Sequence, residues 1–81
     1  MSAGPVRELI EYLARALVED PDSVTVEEVD EGADLVLEVT VADDDLGRVI
    51  GRGGRIANSL RTVAKAAATR SDRRVIVEIL E

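Results

Sequence analysis

Three glycines and two arginines within five positions form the segment of this sequence best suited to binding chemistry. The segment reads Gly51-Arg52-Gly53-Gly54-Arg55. Because glycine has no side chain, a polymer backbone can approach the main chain of such a loop closely. Arg52 and Arg55 place positive charge at the same point, and arginine can grip a phosphate through two parallel hydrogen bonds. The segment therefore predicts a site for a phosphate-bearing backbone.

Helical patterns lie on both sides of this loop. Residues 46–50 are predicted to form a short helix, and a longer one resumes near residue 54 and runs to about residue 69. The free amides at the start of the second helix point at the loop and carry the positive end of its dipole, which favours an anion there. The longer helix has an apolar face at helical spacing. Its members are Ile56, Ala57, Leu60, Val63, Ala64, Ala67 and Ala68.

The remaining segments predict one more helix and three strands. Residues 5–19 carry apolar side chains at helical spacing, and Pro21 ends that helix because it lacks the amide that a helix needs. Residues 24–29, 35–41 and 74–80 favour strands, the last two with clear alternation. Residues 30–34 form a hairpin turn, and Ser71-Asp72 form a turn before the last strand. The predicted order is α-β-β-α-α-β.

This order constrains the sheet. The hairpin makes the first two strands antiparallel, whereas the helical crossover to the last strand implies parallel pairing with the central one. The sequence therefore predicts an α+β fold, with a three-stranded mixed sheet covered on one face by helices. At 81 residues the chain is expected to be a single domain, 1–81, with residues 1–4 flexible.

The charge is divided between two halves of the chain. Residues 1–45 hold two basic and fourteen acidic side chains, a net charge of −12, while residues 46–77 hold eight basic side chains and one acid, a net charge of +7. The whole chain carries −7. A local basic face matters more to a polyanion than the total charge does, so the half that contains the loop is the one expected to meet a nucleic acid.

Several chemistries lack their usual residues. The sequence has no Cys and no His, which removes disulfides, thiolate nucleophiles, the common zinc ligands and the imidazole base together. Catalysis would depend on carboxylates, and these lie mostly in the half away from the loop, so we expect neither an enzyme nor a cofactor. No apolar run approaches a membrane span, and residues 1–5 lack the features of a signal peptide. A cytoplasmic protein without a membrane partner is expected.

The loop and its flanks resemble the KH domain family. Val-Ile-Gly-x-x-Gly at residues 49–54, between two helices and after a strand, has the form of that family's signature. The order of elements is similar to the bacterial, type II KH arrangement. More closely, the chain resembles the single-domain bacterial KH proteins of the KhpA type over nearly its whole length. That resemblance includes Asp-Leu-Gly-Arg-Val-Ile-Gly-Arg-Gly-Gly-Arg at residues 45–55 and Leu-Arg-Thr at residues 60–62.

The resemblance implies a protein that binds single-stranded RNA. In KH domains the Gly-x-x-Gly loop clamps the backbone of about four nucleotides, and the bases lie in an apolar groove beside it. On that basis Gly51 and Gly54 shape the loop. Arg52 and Gly53 face the RNA backbone with Arg55 beside them, and three apolar residues line the groove. The candidate RNA-binding residues are Gly51, Arg52, Gly53, Gly54, Arg55 and Arg48 at the backbone, and Val49, Ile50 and Ile56 at the groove. Many KH domains have Ile where this chain has Ala57, so the wall of its groove differs from theirs.

The resemblance further implies an RNA chaperone or post-transcriptional regulator with low sequence specificity. Proteins of the KhpA type are similar in working as homodimers, or as heterodimers with a larger Jag-type KH protein. Their family is linked to cell shape and cell-wall homeostasis. A protein of another class stays open as an alternative, namely a protein-interaction adapter that uses the KH fold to dock a larger KH-domain partner. Arg52 separates the two, since an adapter has no need of positive charge inside the loop.

The same glycines and acidic residues fit other known motifs less well. A dinucleotide-binding motif fails because its third glycine position is Ile56, and a P-loop fails because no Gly-Lys-Ser/Thr follows. Asp43 is interpreted as the N-cap of the short helix, with the next two acids in its first turn, in preference to a metal site. For Arg48, Arg61 and Lys65, phosphate contact and a solvated helix face stay open. Arg73 and Arg74 are interpreted as structural or rim charges. Ile56 and Leu60 pack in the core, line the groove or contact a partner, and these three roles stay open. Tyr12 is interpreted as a helix residue and not as a platform on which bases stack.

Overall fold

A computed structural model describes residues 4–69 and 72–81, and its elements follow the predicted order. Helix α1 spans Gly4–Leu17, strand β1 Thr25–Glu31, strand β2 Asp34–Thr40, helix α2 Leu46–Ile50, helix α3 Arg55–Ala67 and strand β3 Arg74–Ile79. Short 3-10 turns at Pro21–Ser23, Asp43–Asp45 and Arg52–Gly54 precede β1, α2 and α3. Residues 1–4 were expected to be flexible; of these the structure describes only Gly4, which begins α1. A turn was expected at Ser71-Asp72, and Ser71 lies outside the described residues.

The sheet has the predicted mixed topology. Its strand order is β1-β2-β3. Strand β1 runs antiparallel to β2, and β3 runs parallel to β2. Strand β2 is central because it pairs with both other strands, and its side chains Leu35, Leu37 and Val39 are all buried on one face. The helices cover that face, so the prediction of an α+β sheet with helices on one side is confirmed.

Helices α1 and α3 supply the second layer of the core. The buried residues of α1 are Val6, Ile10 and Ala14, four positions apart, which places them on one stripe of the helix. Helix α3 contributes Ala57, Leu60 and Ala64 in the same way. Small alanines on α3 let the helix lie close to the valines of β3. Within the described residues, no helix combines the length and the apolar character that crossing a bilayer requires.

The hairpin between β1 and β2 is tighter than the sequence pattern indicated. The predicted turn covered residues 30–34, but the strands continue until Glu31 pairs with Asp34, which leaves two residues in the turn. Gly32 adopts a φ of 76°, a left-handed conformation that glycine favours, and its amide donates a hydrogen bond of 3.0 Å to Asp30 Oδ1. These two local features allow the ladder to extend further than alternation alone would suggest.

The carboxylate of Asp45 joins two parts of the chain, and it corrects two predictions. Its oxygens each accept a hydrogen bond of 3.1 Å, one from the amide of Glu19 and one from the amide of Asp20. Helix α1 therefore ends at Leu17 and not at residue 19, because those amides turn towards Asp45. The predicted N-cap at Asp43 is also wrong: Asp43 and Asp44 are exposed in a 3-10 turn without a side-chain cap, whereas Asp45 is buried.

The face of the sheet opposite the helices carries negative charge. Glu27, Glu38 and Glu78 are cross-strand partners in the two ladders, so they form one row across all three strands. Three carboxylates in one row give this face a negative potential, and they also repel one another. The acidic half of the sequence contributes two of these three carboxylates, and a polyanion is directed away from this face.

Candidate nucleic-acid interface

Backbone conformations that favour glycine form the loop between α2 and α3. Gly51 has φ 76° and ψ 171°, Gly53 has φ 64° and ψ 17°, and Gly54 has φ 80° and ψ 13°. The amide of Gly51 still donates to the Gly47 carbonyl at 2.9 Å, which closes α2. The amide of Gly54 then donates to the Gly51 carbonyl at 3.1 Å, which holds the loop as one tight turn. Two helices therefore meet at nearly bare backbone.

The glycines of this loop have different reasons to be glycine. A Cβ on Gly51 would lie 2.9 Å from the backbone nitrogen of Ile56, closer than real Cβ atoms approach. A Cβ on Gly53 would meet no heavy atom within 4 Å. Gly51 therefore shapes the loop, while Gly53 presents open surface that another molecule can approach closely.

Free cations lie in the loop and along α3. Arg52 and Arg55 are exposed, and so is Lys65, nearly three turns beyond Arg55 on α3. Among residues 4–69 and 72–81, no carboxylate lies within salt-bridge distance of these three side chains, whereas Arg7, Arg15, Arg48, Arg73 and Arg74 each pair with at least one. Unpaired cations beside exposed backbone are available to phosphates without first breaking an ion pair.

Two of the sequence-predicted contact residues have other roles in the structure. Arg48 forms ion pairs with Glu19 and, at 3.4 Å, with buried Asp45, so it fastens α2 to the end of α1. Val49 has no exposed surface and belongs to the core. A completely buried side chain cannot line a surface groove, so the assignment of Val49 to the groove is wrong. The residue anchors α2 from behind.

The two remaining apolar candidates are partly exposed. Ile50 and Ile56 both pack against the edge of the core. Ile56 also lines an apolar depression of 270 Å³ between α1 and α3, together with Leu60. Of the three roles left open for these residues, Leu60 packs in the core, where it is buried, while Ile56 lies between the loop and this depression. We name this feature the α1–α3 depression; its lining residues are Leu13, Ala16, Leu17, Ile56, Ser59, Leu60 and Val63.

A larger groove lies on the other side of α3, where the sequence pattern did not place one. It has a volume of 480 Å³ and runs between α3 and the edge of β3. Buried Val75 and Val77 form part of its wall, while Arg61 and Lys65 stand along its α3 side. We name it the α3–β3 groove; its lining residues are Arg61, Lys65, Ala68, Thr69, Arg73, Arg74, Val75, Ile76 and Val77. An apolar wall with cations along its side suits a strand whose bases turn inward and whose phosphates turn outward.

Arg73 and Arg74 serve mainly to hold the sheet edge, as the sequence analysis expected. Arg74 donates two hydrogen bonds of 3.0 Å to Asp34, its register partner on β2. Hydrogen bonding to Arg74 holds the pKa of the Asp34 carboxyl below its ordinary value. Arg73 pairs with Asp30 at 2.6 Å. Both arginines thus connect β3 to the hairpin, and the free positive charge stays with the loop and α3.

Comparison with known proteins identifies the family. A family model described as KhpA/KhpB, KH domain matches residues 7–79, which include the loop, both flanking helices and all three strands. The chain belongs to the KhpA/KhpB KH-domain family. That family is one of KH domains and not a class of enzymes.

Relatives in several bacteria share almost the full length of the chain. A protein of Clostridium acetobutylicum named RNA-binding protein KhpA is 48% identical over 75 residues, which cover 93% of this chain and 100% of the relative. Proteins of the same name are 48% identical in Caldanaerobacter subterraneus, covering 90% of this chain and 97% of the relative, and in Treponema pallidum, covering 91% and 92%. The KhpA/KhpB assignment therefore extends over the whole folded domain and not only its loop.

A solved structure supports the fold. Part of Aquifex aeolicus Era, crystallised as a variant bound to GDP and aluminium fluoride, superposes with a TM-score of 0.64 at 22% sequence identity. The match covers 91% of this chain and 29% of that chain. At this identity the likeness concerns the architecture alone, and it agrees with the order and sheet topology found here.

Proposed function

We propose that this chain binds single-stranded RNA, with the Gly51–Gly54 loop on the phosphate backbone and the bases in the α3–β3 groove. The observation that carries the proposal is the juxtaposition of exposed glycine backbone at Gly53 with the unpaired guanidinium groups of Arg52 and Arg55. A tight structural turn would need neither feature. The names of the relatives, each an RNA-binding protein, support the same assignment.

The charge distribution supports binding on one side of the molecule. The carboxylate row of Glu27, Glu38 and Glu78 repels phosphates from the open sheet face, while the loop and α3 attract them. RNA is thereby oriented during encounter, even though the whole chain carries a net charge of −7. This arrangement also limits indiscriminate binding.

Binding is expected to weaken steeply with salt. Three phosphate contacts, from Arg52, Arg55 and Lys65, give a slope of about −2 for the logarithm of affinity against that of salt concentration, since each contact on a single strand contributes roughly 0.7. Affinity for a short fluorescent RNA should therefore fall roughly 20-fold between 50 and 200 mM salt. Fluorescence anisotropy measures this slope. An affinity that does not change with salt would contradict a phosphate-binding loop.

The finer biological role is an extension of this proposal. A clamp on the backbone contacts groups that every RNA shares, so it suits an RNA chaperone or post-transcriptional regulator with many targets. A cytoplasmic location and a part in cell shape and cell-wall homeostasis are proposed from the KhpA resemblance. A strand-annealing assay tests the chaperone activity, and fractionation of cells tests the location.

We further propose that the chain works as a dimer, with itself or with a larger KH-domain protein of the Jag type. The α1–α3 depression supports this, because its lining is almost wholly apolar and exposed apolar patches of this kind mark protein contacts. A homodimer is the occupant we favour, since a second copy brings the same apolar depression and both loops then contribute to avidity.

Ala16→Glu is expected to shift the dimer towards monomer. Ala16 is exposed at the rim of the depression, so the substitution adds a charge there without removing a core side chain. A charge buried without a partner costs several kcal/mol of association energy, which corresponds to at least about a 100-fold weaker dimer. Sedimentation velocity across a range of concentrations measures it. Ala33→Glu, on the exposed hairpin, is the matched control; equal dimerisation of the two variants would place the dimer surface elsewhere.

A further inference from the structure

The free edge of β3 forms one wall of the α3–β3 groove. Strand β3 is the last strand of the sheet. The amide of Arg74 donates to the carbonyl of Ala33, next to β2, at 3.3 Å, and the amide of Leu80 donates to the carbonyl of Val39 on β2 at 2.9 Å. In a parallel ladder, backbone groups face the neighbouring strand at every second residue. The backbone N–H and C=O groups of residues 74, 76 and 78, and the N–H of residue 80, therefore point towards β2. The backbone groups of Val75 and Val77 point the other way, into the groove.

Arg61 already occupies one of these backbone groups. Its Nε donates to the carbonyl of Val77 at 3.3 Å, and its Nη1 donates to Asn58 Oδ1 at 3.0 Å. A guanidinium has five N–H donors, so three remain after these two bonds are made. The two bonds also fix the plane of the group. The groove wall at Val77 therefore presents the remaining N–H donors of Arg61, in a fixed orientation, in place of a free backbone carbonyl.

The other polar side chains of the groove are also donors. Lys65, Arg73 and Arg74 offer only N–H groups, and the hydroxyl of Thr69 is the one side chain among the described lining residues that can accept as well. A base that enters here is therefore read mainly through its acceptors. Arg61 lies at the middle of α3 and is, of the groove residues that follow the loop in the chain, the one nearest to it, so the base next to the backbone clamp is the one it meets.

We propose that Arg61 makes the groove position nearest the loop prefer guanine. Guanine presents two adjacent acceptors, O6 and N7, which match the paired N–H groups of an arginine. Uracil offers a single carbonyl on the corresponding edge, and adenine carries an amino group beside each of the acceptors N1 and N7. Cytosine also has two adjacent acceptors, O2 and N3, but its amino group lies beside N3 and would face the other donors of the groove. This inference rests on the proposed function, since it concerns which base that same RNA site selects. A preference at one position is compatible with low overall specificity.

The preference is measured with eight-nucleotide RNAs that are cytosine except at one central position. That position carries guanine, inosine, 7-deazaguanine, uracil, adenine or, in the all-cytosine RNA, cytosine. Guanine and inosine, which share O6 and N7, are expected to bind about tenfold more tightly than adenine. 7-deazaguanine, which keeps O6 but lacks N7, should lose most of that gain. Uracil should lie between guanine and adenine.

Arg61→Lys isolates the selecting group. Lysine keeps the charge but not the paired donors, so the guanine preference should shrink to within about twofold, while the all-cytosine RNA still binds within about threefold of wild type. Lys65→Gln is the control, because it removes a charge from the same groove and should weaken all the RNAs by a similar factor. Circular dichroism verifies that both variants are folded.

The outcomes separate this inference from the proposed function. Equal binding of all the RNAs by wild type, or tighter binding of adenine than guanine, would overturn the guanine preference and leave RNA binding established. A guanine preference that survives in Arg61→Lys would overturn the role of Arg61. If wild type binds none of the RNAs at low salt, the proposed function fails and the preference fails with it.

Discussion

Arg52→Asp combined with Gly53→Asp is expected to lower RNA affinity by about 100-fold at low salt. The first change removes a charge-assisted hydrogen bond to phosphate, which contributes about 1.5–3 kcal/mol, and both changes place an anion where the RNA backbone approaches. The fold should survive. Both residues are exposed, and a Cβ at Gly53 meets no heavy atom within 4 Å. Fluorescence anisotropy with a short single-stranded RNA measures the affinity, and thermal unfolding verifies the fold.

Arg15→Asp combined with Gly32→Asp is a matched control for this variant. It changes the net charge by the same amount, and Gly32 has a left-handed φ of 76° with open space around it, as Gly53 has. Arg15 forms only an exposed pair with Glu11 at 3.6 Å, whose loss costs little. The control should bind RNA within about threefold of wild type, because a distant exposed charge is largely screened by salt. If loop variant and control bind alike, the loop is not the RNA site and the adapter alternative becomes the better explanation.

The backbone clamp could be predicted from sequence because its chemistry is local. Gly51 to Arg55 are consecutive, so the glycine spacing and the interleaved arginines are visible without knowledge of the fold. The element order and the mixed sheet were also predictable, since a hairpin pairs its strands antiparallel and a helical crossover favours parallel pairing with the strand that it leaves. The ends of the elements were less predictable from sequence. Asp45 ends α1 by accepting hydrogen bonds from the amides of Glu19 and Asp20, which lie more than twenty residues away in the chain.

The groove was not predictable in the same way because it is built from distant segments. Arg61 and Val77 are sixteen residues apart, and the sequence does not reveal that the guanidinium of one meets the carbonyl of the other. Val49 was misassigned for a related reason. A five-residue helix has too few positions to separate a buried face from an exposed one by periodicity, and Val49 packs inward while Ile50 lies at the edge of the core. Alternation in β3, together with the basic side chains at i and i+4 on α3, was the signal that could have located the groove.

Gly51→Ala is expected to destabilise the domain by about 2–6 kcal/mol. Its φ of 76° and ψ of 171° lie in a region that is essentially restricted to glycine, and a residue forced there costs about 1–3 kcal/mol. The added Cβ would also lie 2.9 Å from the nitrogen of Ile56, and such overpacking costs roughly another 1–3 kcal/mol. A domain of this size has only about 4–12 kcal/mol of stability in total, so the variant should unfold at least about 10 °C lower.

Gly53→Ala separates the two roles that glycine has in this loop. It also has a positive φ, of 64°, but a Cβ there meets open space, so the cost is limited to about 1–2 kcal/mol of left-handed strain. Differential scanning calorimetry should therefore find Gly53→Ala clearly more stable than Gly51→Ala. Similar stabilities would mean that the collision with Ile56 is relieved by a shift of α3, and that Gly51 is dispensable for the fold. The expected ranking makes Gly51 the residue that sets the distance between α2 and α3, and Gly53 the residue that leaves room for the RNA backbone.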